Sequence, residues 1–178
     1  MRHRAVAARA GLPLASTTYY FSSLDDLISN AVEHVGTREA EQLRMRVGVL
    51  SNRRRGAESI AELLVDLLVG ESPEARITEQ LISRYERYIA CARKPALRDI
   101  QRRLLKLRTD AVSQVVQRSG RSIRRGQLSA LVCAVDGAVV AALVGDGETP
   151  RETARATLID VIDVLAPIDE RGREFSTV

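Results

Sequence analysis

Apolar residues recur at every third or fourth position along most of this chain, and strict alternation is rare. That period belongs to helices rather than strands, so the pattern predicts an all-α protein. The first stripe is Val6, Ala7 and Ala10 in "HRAVAARA", stopped by Gly11. After the turn "LPL" comes a short helix, "ASTTYYF". Ser23 and Asp26 then have capping-box spacing, with Asp in place of the usual Glu. Leu24, Leu27, Ile28, Ala31 and Val35 follow on one face of a helix predicted to run to about Leu50.

"SNRRRG" interrupts the pattern and reads as an exposed basic loop. The next helix carries Ile60, Leu63, Leu64, Leu67 and Leu68. Gly70 ends it, and Ser72 with Pro73 starts a helix bearing Ile77, Leu81, Ile82, Tyr85, Tyr88 and Ile89. Pro95 opens another, with Leu97, Ile100, Leu104, Ala111 and Val115 inward, to near Gly120. Leu128 to Val144 is apolar nearly all round and is expected to be covered on both sides. Thr149, Pro150 and Glu152 combine an N-cap, a proline at the first helical position and a capping-box acid. Leu158, Val161, Ile162 and Leu165 follow, Pro167 ends the helix, and residues 168–178 read as a flexible tail.

Composition narrows the function. The net charge is +4 and the pI about 9.5, which suits a polyanionic partner. Lys94 and Lys106 are the only lysines among 27 basic residues. Cys91 and Cys133 lack metal-ligand spacing, and His3 and His34 lie elsewhere, so neither a metal nor another cofactor is expected. The longest apolar stretch, Ala130 to Gly145, is broken by Asp136 and falls short of the roughly 18–20 residues of a membrane span. With charges directly after Met1, the reading is a cytoplasmic protein with no membrane partner. No nucleophile–base pair or phosphate-cradling loop stands out, so an enzyme is not expected.

Helix, Gly-containing turn and short helix form a helix-turn-helix pattern. Three of the chain's six aromatic residues, Tyr19, Tyr20 and Phe21, crowd into that short helix beside hydroxyls. They are either core aromatics of a small domain or part of a reading surface. Thr17 and Phe21 stand four apart and share the inward face, which leaves Ser16, Thr18, Tyr19 and Tyr20 around the outward side. Residues 1–21 hold three arginines and no acid.

The segment His3 to Ile28 resembles the DNA-reading part of the TetR family of bacterial transcriptional regulators. That family's pattern is a helix ending in "VA..AG", a short polar turn, "TLYYHF", then Ser, Lys, two acids and Leu. Val6, Ala7, Ala10 and Gly11 match the first part, Ser16, Tyr19 and Phe21 the second, and Ser23, Asp25, Asp26 and Leu27 the third. The resemblance implies DNA contacts from Arg4, major-groove positions at Leu14, Ala15, Ser16 and Thr18, and backbone or thymine contacts from Tyr19 and Tyr20. Thr18 stands where the family often has an aromatic, and Leu24 where it often has a phosphate-binding Lys. Backbone anchoring is then expected from the helix start at Ser23 and from arginines. The family also places a further helix ahead of this segment, so a start upstream of Met1 is expected.

The expected architecture is a helix-turn-helix remnant followed by a larger helical bundle that dimerises through its last two helices. Residues 1–35 form the DNA-binding segment and lead into the connecting helix, and 36–167 form the effector-binding and dimerisation domain. The implied partners are a double-stranded DNA operator, an unknown small-molecule effector and a second copy of the chain. The output is a ligand-responsive repressor acting as a homodimer on a pseudo-palindromic site. The alternative is a helical effector-binding or protein-interaction dimer that no longer grips DNA. Small residues at Gly137, Ala138, Ala141, Ala142 and Gly145 let a partner helix approach, with Val135, Leu158, Val161, Ile162 and Leu165 completing the interface. A single helix buried within a monomer fits the same pattern. Tyr85, Tyr88 and Cys91 either line an effector pocket with Arg84 or Arg87 at its rim, or form a plain core stripe. Asp136 caps a ligand, pairs with an arginine across the interface, or is satisfied structurally. The basic cluster from Arg98 to Arg125 reads as a solvated face or a second contact surface.

Overall fold

The computed structural model of the chain describes residues 3–71 and 73–170. Among them are eight helices: α1 His3–Ala10, α2 Leu14–Tyr20, α3 Leu24–Gly48, α4 Ala57–Leu68, α5 Glu74–Arg93, α6 Pro95–Arg118, α7 Arg125–Val144 and α8 Pro150–Leu165. The protein is all-α; extended pairing among the described residues is limited to one bridge between Arg121 and Ile168. The expected N-cap at Ser72 and residues 171–178 lie outside the described residues.

Local chemistry sets the helix ends. Gly11 adopts a left-handed φ of 66°. Its N–H donates to Ala8 O, and Leu12 N–H donates to Ala7 O, so α1 ends in a Schellman turn that most other residues would strain. Ser23 Oγ accepts from the Asp26 N–H at 3.0 Å. Asp26 is a carbon shorter than Glu, and its carboxylate takes the Ser22 N–H and hydroxyl instead of closing the expected box on Ser23. The Ser22 backbone N–H, then its hydroxyl, holds the Asp26 carboxyl below the usual carboxylate range. Thr149 and Glu152 close the full capping box at the start of α8.

The core lies where α4, α6, α7 and α8 meet the inner face of α5. Ile60, Leu64, Leu68, Ile77, Leu81, Val112, Leu131, Leu158 and Ile162 are fully buried there. Each such aliphatic side chain contributes about 1.5–3 kcal/mol. Helix α7 packs most extensively on α8, and α3 on α6. By length and composition alone α7 is long and apolar enough to cross a membrane, which the sixteen-residue count from sequence did not allow. Its inner face enters the core through Leu131, Val135 and Val139.

That orientation corrects one expectation. Within the single chain α7 is covered on one side, and the opposite face stands open, with Val144 85% exposed. Val135, Leu158 and Ile162 cannot belong to a dimer interface, because each is fully buried within the chain itself. Gly137 and Ala141 do lie on the open face, Gly145 is exposed beyond it, and Ala138, Ala142, Val161 and Leu165 are partly buried.

The basic segments are also more structural than their composition suggested. Arg55, in the loop expected to be exposed, is buried and donates to the carbonyls of Arg118 and Ser51. Arg118 donates to the carbonyls of Val47 and Leu50, which satisfies acceptors at the end of α3. Arg121 is buried against Asp163 and Ala166 O. The Arg98–Arg125 cluster is therefore not a single solvated face. Ile168 and Asp169, expected to begin a frayed tail, are tied to the α6–α7 turn, and Asp169 N–H donates to Gly120 O.

Helix α3 runs unbroken across the expected 35/36 boundary. It approaches α6 at Gly36, where an added Cβ would fall 2.1 Å from Leu104 Cδ1. Gly36→Val should therefore force Leu104 aside and cost about 1–3 kcal/mol by overpacking. Urea unfolding should show a lower midpoint with an unchanged slope.

Candidate functional site

Two regions carry chemistry. The first is the outer face of α2. Thr17 is buried and its hydroxyl donates to Leu14 O at 2.9 Å. Phe21 is partly buried at the C-cap, where its N–H donates to Thr17 O. These two pin the inward side. Leu14, Ala15 and Thr18 are exposed, Ser16 is partly so, and Tyr19 and Tyr20 are 83% and 74% exposed. The two tyrosine rings meet edge to face at 5.1 Å and so stiffen each other. Thr18 Oγ1 donates back to Ala15 O at 3.2 Å, which leaves its lone pairs as outward acceptors. Arg4 is exposed on α1.

The second region is a cavity of about 390 Å³ between α3, α5 and α6, bounded by the end of α4. Arg46, Arg76, Arg84, Arg87 and Arg108 line it, against Glu39 and Glu71. Beside it a second chamber of about 420 Å³ is lined by Tyr88, Cys91, Ala92, Gln101, Leu105 and two arginines. Tyr88 and Gln101 face both spaces.

Of the five residues expected to form an effector pocket, Arg84, Tyr88 and Cys91 line these spaces. Tyr85 and Asp136 do not. Asp136 is instead the anchor behind them. Arg108 grips both its oxygens at 2.9 and 2.8 Å, and Tyr85 donates its hydroxyl to Oδ1 at 3.0 Å. The arginine that Asp136 pairs with thus comes from its own protomer. Burial alone would lower the Arg108 pKa, but the Asp136 bonds and charge outweigh it and hold the guanidinium charged. Burial, then the neighbouring Asp136, pushes the Tyr85 hydroxyl well above its usual range. Tyr85 and Tyr88 meet edge to face at 5.8 Å, which carries the order of this triad to the cavity wall. Burial also raises the Cys91 thiol, so it stays protonated and unreactive near neutral pH.

Reading the residues alone missed Gln101 and Arg108. Both sit in the inward register of α6, between Leu97 and Ala111, and both are buried. Among the described residues no group of three His, Cys, Asp or Glu side chains is placed to hold a metal.

Residues 55–164 match a family model described as tetracyclin repressor-like, C-terminal domain. The chain belongs to the TetR family of transcriptional regulators. Among solved structures, the TetR-family chain is similar to the multidrug binding protein EbrR complexed with imidazole. The two are 28% identical over 90% of this chain and 82% of that one, with a TM-score of 0.63. It also shares its fold with SCO7518 of Streptomyces coelicolor A3(2), assigned as a transcriptional regulator. There the identity is 20%, the TM-score 0.62, and coverage 90% and 86%. No curated protein matches it.

Asp136→Asn should leave the Arg108 charge buried without a counter-charge and cost about 3–5 kcal/mol in urea unfolding. Replacing both partners, Arg108→Met with Asp136→Leu, should cost far less. The raised Tyr85 hydroxyl adds an alkaline limit. Its contribution to stability is complete below the ordinary tyrosine value of 10.0 and is lost as pH rises beyond it. Tyr85→Phe should flatten that decline when unfolding free energy is followed against pH.

Proposed function

We propose that this chain is a ligand-responsive transcriptional repressor, a cytoplasmic homodimer that reads a pseudo-palindromic operator with α2 and binds a small molecule between α3, α5 and α6. The observation that carries the DNA-reading part is the division of α2 into a pinned inner side and an open outer side. Thr17 and Phe21 face inward, while Thr18, Tyr19 and Tyr20 are exposed. A rigid, hydroxyl-bearing face on a short helix suits a major groove. With Arg4 and Arg9 exposed on α1 and no acid before Asp25, the local charge favours phosphate contact. The start of α3 at Ser23 already holds the Asp26 carboxylate, with Asp25 beside it, so phosphate contact on this reading falls to the arginines.

Dimerisation is supported by the open face of α7. Gly126, Ala130, Cys133, Gly137, Val140, Ala141 and Val144 are all exposed and follow one another at helical spacing. On α8, Val164 is exposed too. A second copy packing α7 and α8 against these positions would bury this face and form a four-helix bundle. Two reading heads related by that axis would fit half-sites about one turn of DNA apart. A ligand favouring a different head spacing would lower operator affinity by its differential binding to the two states.

One observation favours the alternative of a dimer that senses ligand without gripping DNA. Ala5 and Val6 of α1 and Leu27, Ile28 and Val35 of α3 line an uncovered apolar groove of about 640 Å³. The head is therefore held to the bundle through a limited contact. The same experiment separates the two readings. The full-length protein should select a two-fold-symmetric site from random duplexes. Arg4→Ala should lower the slope of log affinity against log salt by about one. Thr18→Ala should relax preference at one base step at a cost of about 1–3 kcal/mol. Absence of sequence selection at low salt would leave the alternative standing. Val140→Asp should yield monomers by light scattering and reduce operator affinity with them.

A further inference from the structure

The α3–α5–α6 cavity holds polar groups that the described residues leave unsatisfied. Gln101 is 6% exposed, yet neither its Nε2 nor its Oε1 has a hydrogen-bond partner among the described residues. Arg87 Nε is likewise buried and without a partner among them. Buried polar atoms of this kind are rare, and each costs the fold stability unless something meets it. Gln101 faces both chambers.

Charge in the inner chamber is also unbalanced. Arg87 is bonded by two contacts to Glu39, and Arg108 by two to Asp136. Arg84 has neither. Its recorded bond is to the carbonyl of Leu68, and among the described residues no carboxylate lies within ion-pair distance of it. Glu39, the carboxylate whose charge acts on it, is already held by Arg87. Burial, then the neighbouring Arg108, lowers the Arg84 pKa from its ordinary value. The outer space presents Cys91, Ala92 and Leu105, with Arg98 and Arg102 also in its lining.

We infer that the effector is a small amphipathic organic anion. Its carboxylate meets Arg84 in the inner chamber, a polar group beside it pairs with the Gln101 amide, and its apolar part extends past Tyr88 toward Cys91 and Leu105. This rests on the effector-binding reading of the cavity and specifies the ligand's chemistry. An organic cation would meet a lining of five arginines against two glutamates, both already held by arginines, and is disfavoured by that net positive charge. A neutral ligand would satisfy Gln101 but leave Arg84 uncompensated.

The test is calorimetric titration of the full-length protein without DNA, so a protein that fails to bind operator is still a valid subject. The probes are 3-hydroxybenzoate, 3-hydroxybenzamide and 3-hydroxybenzylammonium, and the same three head groups on a hydroxynaphthalene ring. They differ in charge and hardly in shape. A carboxylate should bind at least about tenfold more tightly than its amide, since charge-assisted hydrogen bonds are roughly twice as strong as neutral ones. The ammonium probes should not bind. Arg84→Gln should erase the preference for the carboxylate, and Arg84→Lys should keep it. Gln101→Leu should weaken binding while raising the thermal midpoint, an opposite pair of signs that a merely structural residue would not give. Failure of every carboxylate to saturate at millimolar concentration overturns the inference. So does an amide or ammonium binding as well as its carboxylate, or a preference that survives Arg84→Gln.

Discussion

The bundle depends on one buried charge. Asp136, partly buried in the apolar run of α7, takes the buried Arg108 on both oxygens and Tyr85 on one, and so meets the cost of that guanidinium in a low-dielectric interior. Those three residues come from α7, α6 and α5. The ion pair therefore fixes the rotation of three helices about their own axes at once. An apolar pair of the same volume would hold them together equally well, but would tolerate sliding. Geometry of this kind buys uniqueness, and the consequence is a defined cavity wall, because Arg108 itself lines the open space and Tyr88, edge to face with Tyr85, lines it too.

That wall is connected to the head by a continuous helix. Helix α3 starts at the cap on Ser23, just beyond α2, and ends at Gly48 against Arg118. Along the way Gly36 lies against Leu104, and Glu39 holds Arg87. Lys94, between α5 and α6, pairs with Asp25 in the first turn of α3. Leu104 and Arg87 also line the cavity. Whatever occupies that space therefore touches the same residues that position α3, and α3 follows directly on α2 at its other end. Under the proposed reading, no long relay is needed for ligand and operator to oppose each other. A small rotation of one packed helix is enough, since packed interfaces shift between discrete arrangements rather than bending smoothly.

Much of the fold was legible from the chain. Periodicity and caps located the helices because their signals are local: Gly11, Ser23, Pro95, Thr149 and Pro150 act within a few residues. The division of α2 into inner Thr17 and outer Thr18 and Tyr20 was legible for the same reason. What periodicity cannot supply is which side of an all-apolar helix meets its own core. Val135, Leu158 and Ile162 looked suitable for a partner, and the structure turns them inward. The basic stretches misled for a related reason. An arginine that caps a distant carbonyl, as Arg55, Arg118 and Arg121 do, looks the same in sequence as one in water. A signal did exist in α6, where Gln101 and Arg108 occupy inward positions of an apolar stripe.

Those two exceptions have different physical meanings. Arg108 breaks the pattern and is matched: its partner is Asp136, the one acid in the apolar run of α7. Gln101 breaks the same pattern and is not matched among the described residues. A buried amide without partners is a cost that folding alone gives no reason to keep, since leucine fits the same register. Local rules that fail with compensation mark architecture, and local rules that fail without it mark a function still to be engaged. By that distinction the Arg108–Asp136 pair belongs to the scaffold. Under the proposed reading, Gln101 and Arg84 await the ligand of the cavity.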